Sequence, residues 1–282
     1  MSDALGLRGR IEVLAAAGDS APAGSERAIA DLLDALERGE LRAAERGADG
    51  VWRAVSWVKQ GILLAFRTGR VVDMSPGGAS PFQFYDKHTL PTQDIPIDRG
   101  VRVVPGGSSI RRGAYVARGV VCMPPMYINA GAWVGAGTRG ASHALVGSCA
   151  QIGERVHLSA AAQIGGVLEP VNAAPVIVED EAFVGGNCGV YEGTVIRRRA
   201  VLAPGVSLTR GTPVFDLVHE RVYRAASGAP LEIPEGAVVV PGARRVPGGW
   251  GAEQGLSLLA PVIVKYRDGS TDAGTALEAA LR

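Results

Sequence analysis

Aliphatic or small residues recur at every sixth position from Ile110 to Ile164, through Val116, Cys122, Ile128, Val134, Gly140, Val146, Ile152 and Leu158. The frame lapses and resumes at Val178, Val184, Val190, Ile196, Leu202, Leu208 and Val214. A period of six matches neither the 3.6-residue turn of a helix nor the alternation of an ordinary strand, and it predicts a hexapeptide β-helix. Each hexad then supplies one short strand and one corner, and three hexads close a triangular coil of about eighteen residues. The aliphatic residue points inward, and the small residue after it, as in Val134-Gly135 or Ile152-Gly153, relieves crowding at the turn. Known proteins with this repeat wind left-handed, an exception to the right-handed crossover rule.

Before the repeat, Ile29, Leu32, Leu33 and Leu36 keep the spacing of a helix with one buried face, and Gly39 stops it. An earlier helix is expected from about Asp3 to Ala17, ending at Gly18. The apolar positions Trp52, Val55, Trp57, Val58 and Ile62 to Phe66 fit a helix, a strand, or one after the other. The Gly-, Pro- and Ser-rich segment from Ser75 to Pro96 predicts an extended, loop-rich connection. Within the repeat, Leu168 to Pro175 shifts the frame by two residues, so it has to leave the solenoid as a loop at a corner. Such an excursion either carries function or is a tolerated surface insertion. After a polar stretch from His219 to Pro230, the chain reaches the apolar run Ala237 to Val240. Ala260 to Lys265 suits a strand capping the open end of the solenoid, whose edge is otherwise unpaired. A short helix is expected from Ala273 to Arg282.

The fold class is therefore mainly β: a left-handed parallel β-helix over residues 101–220, an N-terminal helical or mixed domain over residues 1–100, and a small C-terminal capping region over residues 221–282. At 282 residues the chain is long enough for a sizeable core. Twenty-nine basic against 28 acidic side chains give no reason to expect nucleic acid or an anionic membrane as partner, so any anion has to be held locally. The cysteines Cys122, Cys149 and Cys188 are odd in number and form no CxxC pair, which argues against a disulfide framework or a zinc site. With no signal-peptide pattern and no long apolar stretch, a cytoplasmic location is expected.

Proteins with this repeat include trimeric CoA-dependent acyltransferases, carbonic anhydrases with zinc on three histidines, and scaffold subunits, so the fold alone leaves function open. Of His88, His143, His157 and His219, only His143 and His157 fall in the solenoid, so a three-histidine zinc site is not expected.

The runs Val146-Gly-Ser-Cys-Ala-Gln-Ile-Gly153, Val156-His-Leu-Ser159, Ile164-Gly-Gly-Val-Leu-Glu-Pro170 and Pro261-Val-Ile-Val-Lys265 closely resemble the tetrahydrodipicolinate N-succinyltransferase family. Further matches are Arg102-Val-Val-Pro105, Arg111 with Gly113-Ala114, Asn129-Ala-Gly-Ala132 and Trp57 to Arg67, so the resemblance spans nearly the whole chain. It implies a homotrimer with active sites between subunits, succinyl-CoA as co-substrate with no permanently bound cofactor or metal, and a small amine-bearing acceptor. Two places depart from the family pattern. Its acidic Val-Asp-Thr-Trp motif reads Gly140-Ala141-Ser142-His143 here, and its later glutamate is Gly189. Those are the carboxylates the family assigns to amine binding and proton transfer.

An ammonium nucleophile has to lose a proton to attack a thioester, and a positioned base contributes roughly 10²- to 10⁴-fold. Without the two carboxylates, another base acts or the nucleophile is already neutral. His143 is the candidate base: if the segment continues as a strand, its side chain faces the same way as that of Ala141. It could equally fill the space of the family's tryptophan. A weakly basic acceptor such as a hydrazine would need little help. The expectation is therefore an N-acyltransferase with a changed acceptor, the alternatives being authentic tetrahydrodipicolinate succinylation and a non-catalytic trimeric scaffold.

On the acceptor side, Arg102 matches a family arginine that pairs with a substrate carboxylate, and Arg111 and Ser142 are further candidates. On the donor side, Ser148, Gly165, Gly166, Ala203 and Gly205 match segments that line the pantetheine arm, and Lys265, with Arg244 and Arg245 nearby, could meet CoA phosphates. His157 is expected to be structural or donor-lining. Cys149 is not expected to act as a nucleophile, since it sits inside a packed repeat.

Overall fold

The computed structural model describes residues 2–17, 24–77 and 82–268. Three helices open the chain: α1 (Ser2–Ala16), α2 (Ser25–Glu37) and α3 (Ser56–Thr68). On α2 the buried stripe is Ala28, Ile29, Leu32, Leu33 and Leu36, the predicted spacing, and Gly39 at φ 74° turns the chain out of the helix. Gly18, the expected stop of the first helix, lies outside the described residues. The ambiguous stretch after Val51 resolves into a strand, Trp52–Ala54, paired antiparallel with Ala44–Arg46, and then α3. The loop-rich connection holds one strand, Tyr85–Lys87, antiparallel to Val71–Asp73, and its residues 78–81 lie outside the description.

From Arg102 the chain winds into a left-handed parallel β-helix whose two-residue strands stack into three sheets. The first face runs through Tyr115–Val116, Trp133–Val134, Gln151–Ile152, Ile177–Val178 and Val195–Ile196 to Glu232–Ile233. The second runs through Arg102–Val103, Val121–Cys122, Arg139–Gly140, His157–Leu158 and Phe183–Val184 to Val201–Leu202. The third runs through Ser109–Ile110, Tyr127–Ile128, Leu145–Val146, Gln163–Ile164 and Gly189–Val190 to Ser207–Leu208. From the second coil onward the second residue of each pair points inward, and apart from Gly140 these residues form one continuous core, while Val103 on the first strand is exposed. Each fully buried aliphatic contributes about 1.5–3 kcal/mol.

The glycines after the inward residues are required by the stacking: a Cβ on Gly135 would lie 2.5 Å from the backbone of Gly153 one coil away. At Gly140, where the inward aliphatic is missing, the Met126 thioether fills the space, and any Cβ there would collide with it.

The predicted excursion is present. Gln151 pairs with Ile177, whereas Trp133 pairs with Gln151, so the intervening coil carries extra residues, and these leave between Ile164 and Ile177. The last predicted hexad is corrected. Val214 is buried against the core, but its strand, Val214–Asp216, turns back in a hairpin with Arg221–Tyr223 instead of stacking as another coil. Pro213 just before it lacks the N–H a continuing ladder would use. The coil resumes at Glu232–Ile233, and Ala237–Val240 extends the second face. Val262–Tyr266 covers this end of the solenoid, antiparallel to Ala237–Val240 and parallel to Val214–Asp216, and the sheet continues past it to a free edge at Arg221–Tyr223. The expected final helix, Ala273 to Arg282, lies outside the described residues. No described helix is long and apolar enough to cross a membrane.

Candidate functional site

The third face and its two flanking edges gather most of the predicted site residues. Along one edge run the corners between the second and third faces, 141–144, 159–162, 185–188 and 203–206, which carry Ala141, Ser142, His143, Ala203 and Gly205. Along the other run the corners between the third and first faces, 147–150, 165–176 and 191–194, which carry Ser148, Gly165 and Gly166. Gly189 lies on the face itself, two ladder steps from Leu145, or about 10 Å at strand spacing.

His143 does not lie on a strand, contrary to expectation. The strand ends at Gly140, and residues 141–144 form a corner in which His143 takes φ 65° and donates its backbone N–H to Pro125 O at 2.6 Å. Two-residue strands are too short for the alternation to reach position 143. The imidazole is exposed, and the residue's carbonyl accepts from Gln163 Nε2 at 3.2 Å. His157 stacks on Phe183 with ring centroids 4.9 Å apart, and burial, aided by Arg139, pulls its pKa below the usual value.

At Gly189 the missing side chain is replaced from two residues onward. The ring of Tyr191 lies over this glycine so closely that any Cβ would collide with it. A Cβ on Gly165 would meet the same ring at 2.8 Å. Gly166 has a comparable packing reason, since its Cβ would lie 2.5 Å from the Ser148 nitrogen. Both glycines also border a cavity of about 1250 Å³ between the excursion, the strand around Trp52 and the corner at Tyr191.

The excursion is held by a residue that was not among the predicted site residues. Lys59 of α3 is fully buried and donates from Nζ to Pro170 O at 3.0 Å and Ala173 O at 2.7 Å. Burial lowers its pKa from the ordinary lysine value. On α3 it falls beside Val58 and Ile62, within a stripe that should have been apolar, and that interruption was the available signal. Arg42 was also missed. Its guanidinium carbon lies 3.9 Å from the Trp133 ring centroid and 5.5 Å from that of Trp52, and its Nε donates to Gln151 at 3.0 Å. It clamps the N-terminal strands to the first face, and burial lowers its pKa to about 10.

The other candidates are dispersed. Arg102 is exposed on the first strand of the second face. Arg111 is engaged by the N-terminal region: it pairs with Asp86, donates to Leu90 O at 3.2 Å and lies 4.9 Å from the Phe66 ring. Ser142 and Ser148 are half-buried at their corners. Ala203 is buried and accepts from the Cys188 thiol at 3.0 Å, while Gly205 is exposed at φ 82°. Lys265 is half-buried on the closing strand, in register with Val238. The three cysteines are buried and free, and burial pushes the Cys149 thiol up to about 12, which keeps it protonated and unreactive. Among the described residues no group of three or more His, Cys, Asp or Glu is placed to hold a metal ion.

Comparison with known proteins decides the assignment. Residues 13–68 match the family model described as tetrahydrodipicolinate N-succinyltransferase N-terminal, and residues 175–210 match the hexapeptide repeat of succinyl-transferase. The 2,3,4,5-tetrahydropyridine-2,6-dicarboxylate N-succinyltransferase of Polynucleobacter asymbioticus is 42% identical over 94% of this chain and 92% of its own length. The enzyme of the same name from Bradyrhizobium diazoefficiens is 41% identical over 90% of this chain and 89% of its own. That from Acinetobacter baylyi is 39% identical over 93% and 91%.

The chain belongs to the tetrahydrodipicolinate N-succinyltransferase family. It is an acyltransferase with an acyl-CoA as co-substrate, and the scaffold alternative falls. The expectation of a changed acceptor is corrected by the same matches, since relatives bearing the unaltered family name align with nearly the full chain at about two residues in five. Two substitutions weighed too heavily in that expectation. Around Ala141 and Gly189 the coil register, the corners and the excursion all persist.

Proposed function

We propose that this protein transfers the succinyl group of succinyl-CoA to the nitrogen of 2,3,4,5-tetrahydropyridine-2,6-dicarboxylate, as a cytoplasmic homotrimer with active sites between subunits. Water first adds across the C=N bond of this cyclic imine, which gives the nitrogen an N–H; the nitrogen then forms a C–N bond to the thioester carbon and loses that proton, the C–S bond breaks, and the departing CoA thiolate is protonated. The observation that carries this reading is the near full-length identity with enzymes of that name.

In this reading Arg102 pairs with an acceptor carboxylate, with Arg111 and Ser142 supporting that side. His143, exposed on its corner, takes the proton from the nitrogen of the hydrated acceptor as it attacks the thioester. The pantetheine arm lies along the corners of Ser148, Gly165, Gly166, Ala203 and Gly205, and Lys265 meets a phosphate. Purified protein incubated with succinyl-CoA and tetrahydropyridine dicarboxylate is expected to release CoA thiol and form the N-succinyl product, identified by mass. Hydrolysis of succinyl-CoA without an acylated product would overturn the reading.

A further inference from the structure

Tyr191 occupies a slot that the chain keeps open with two glycines. Its ring spans Gly165, whose Cβ would meet Cδ1 at 2.8 Å, and Gly189, whose Cβ would lie 2.9 Å from the hydroxyl oxygen. Gly189 opens its strand opposite Gln163 and Gly165 follows the neighbouring strand, so the ring reaches across one step of the third-face ladder. The residue's backbone is fixed on both sides: its N–H donates to Leu208 O at 2.9 Å, and its carbonyl accepts from Thr194 Oγ1 at 2.7 Å. A phenylalanine would fill this slot equally well. The hydroxyl, however, makes no hydrogen bond to any described residue. The half-buried ring forms part of the wall of the cavity of about 1250 Å³, beside the excursion and the Arg53 and Arg210 side chains.

A held phenol whose donor has no protein partner is pre-organised to meet an oxygen acceptor on a bound molecule. The same wall carries Arg53, paired with Asp49, and Arg210 beside Glu169 and Glu192, so its charges balance and the acceptor oxygen can be a neutral carbonyl or a carboxylate. We propose that Tyr191 is a ligand-contacting hydrogen-bond donor of this site, directed to a carbonyl or carboxylate oxygen of the acyl donor or of the acceptor. The proposal rests on the acyl-transfer reading for what the ligand is, and on the ring's placement for the contact.

The test uses the full-length protein and Tyr191→Phe, which keeps the ring and removes only the hydroxyl. Two measurements separate this proposal from the functional reading: turnover of succinyl-CoA with tetrahydropyridine dicarboxylate, and calorimetric binding of CoA and of pyridine-2,6-dicarboxylate, which needs no turnover. The expected result is a loss of roughly fivefold or more, in kcat/KM or in affinity for one of the two probes, with an unchanged thermal midpoint. Turnover and both affinities within twofold of wild type would overturn the role of Tyr191. A wild type that binds both probes but acylates nothing would instead count against the functional reading, while the binding comparison still decides on Tyr191.

Discussion

On one side of the third face, the corners 141–144, 159–162 and 185–188 repeat the same four-residue turn. On the other, residues 165–176 take three times that length and are tied down by a lysine from a helix outside the solenoid. The first edge holds because each coil repeats the last, so residues such as Ala141 and His143 can vary while the backbone stays in register. On the second edge the corners 147–150 and 191–194 repeat in the same way, but the excursion between them holds through single tertiary contacts. Variation is therefore tolerated differently on the two sides: side chains can change along the repetitive edge, whereas the excursion depends on Lys59.

The largest effect is expected from breaking what both edges share. Ile164→Ala empties the fully buried inward position just before the excursion and should cost about 2–5 kcal/mol in denaturant unfolding. A loss below about 1 kcal/mol would mean that the coils do not act as one core.

Next, His143→Ala tests whether the repetitive edge carries chemistry. It should lower kcat about 10²-fold with little change in unfolding midpoint, and unchanged turnover would leave that edge with a structural role alone. Lys59→Met tests the other edge by leaving the carbonyls of Pro170 and Ala173 without their donor. The expected cost is about 1–3 kcal/mol, with faster amide exchange confined to the excursion and a raised KM for the acyl-CoA. Exchange that rises equally on both edges would contradict the separation.

The smallest effect concerns Cys149, which packs with α3 at the foot of the second edge. Its thiol is raised from 9.0 to about 12, so below pH 9 folded and unfolded chains both keep the proton, and above it only the unfolded chain releases it. The thiol's contribution is thus present below pH 9 and lost as pH rises toward 12. Between pH 9 and 10, wild type should lose about 1 kcal/mol more stability than Cys149→Ala. Equal losses would show that the thiol is not held protonated by the fold.

The six-residue period made the solenoid legible because inward position, strand and corner all follow from one repeat. It misled at Val214, where a buried valine falls in frame by belonging to the closing sheet, not to another coil. At Gly140 the period was interrupted in sequence but not in space, because Met126 from the preceding coil supplies the missing volume. The candidate site was legible only where it followed the corners. Tyr191 fills the place of a side chain two residues away, and Lys59 reaches the excursion from α3. Contacts of that kind have no period. Reading position 143 as strand placed His143 wrongly, because alternation cannot extend past a two-residue strand.

In the proposed function the altered positions 141 and 189 leave the family reaction in place. This is tested most directly by measuring kcat/KM of the purified protein for 2,3,4,5-tetrahydropyridine-2,6-dicarboxylate with succinyl-CoA, beside a panel of simple amines and hydrazines under the same conditions. The cyclic dicarboxylate is expected to be the best acceptor and to yield the N-succinyl product. A higher kcat/KM for a hydrazine or another amine, with no acylation of the dicarboxylate, would contradict this reading.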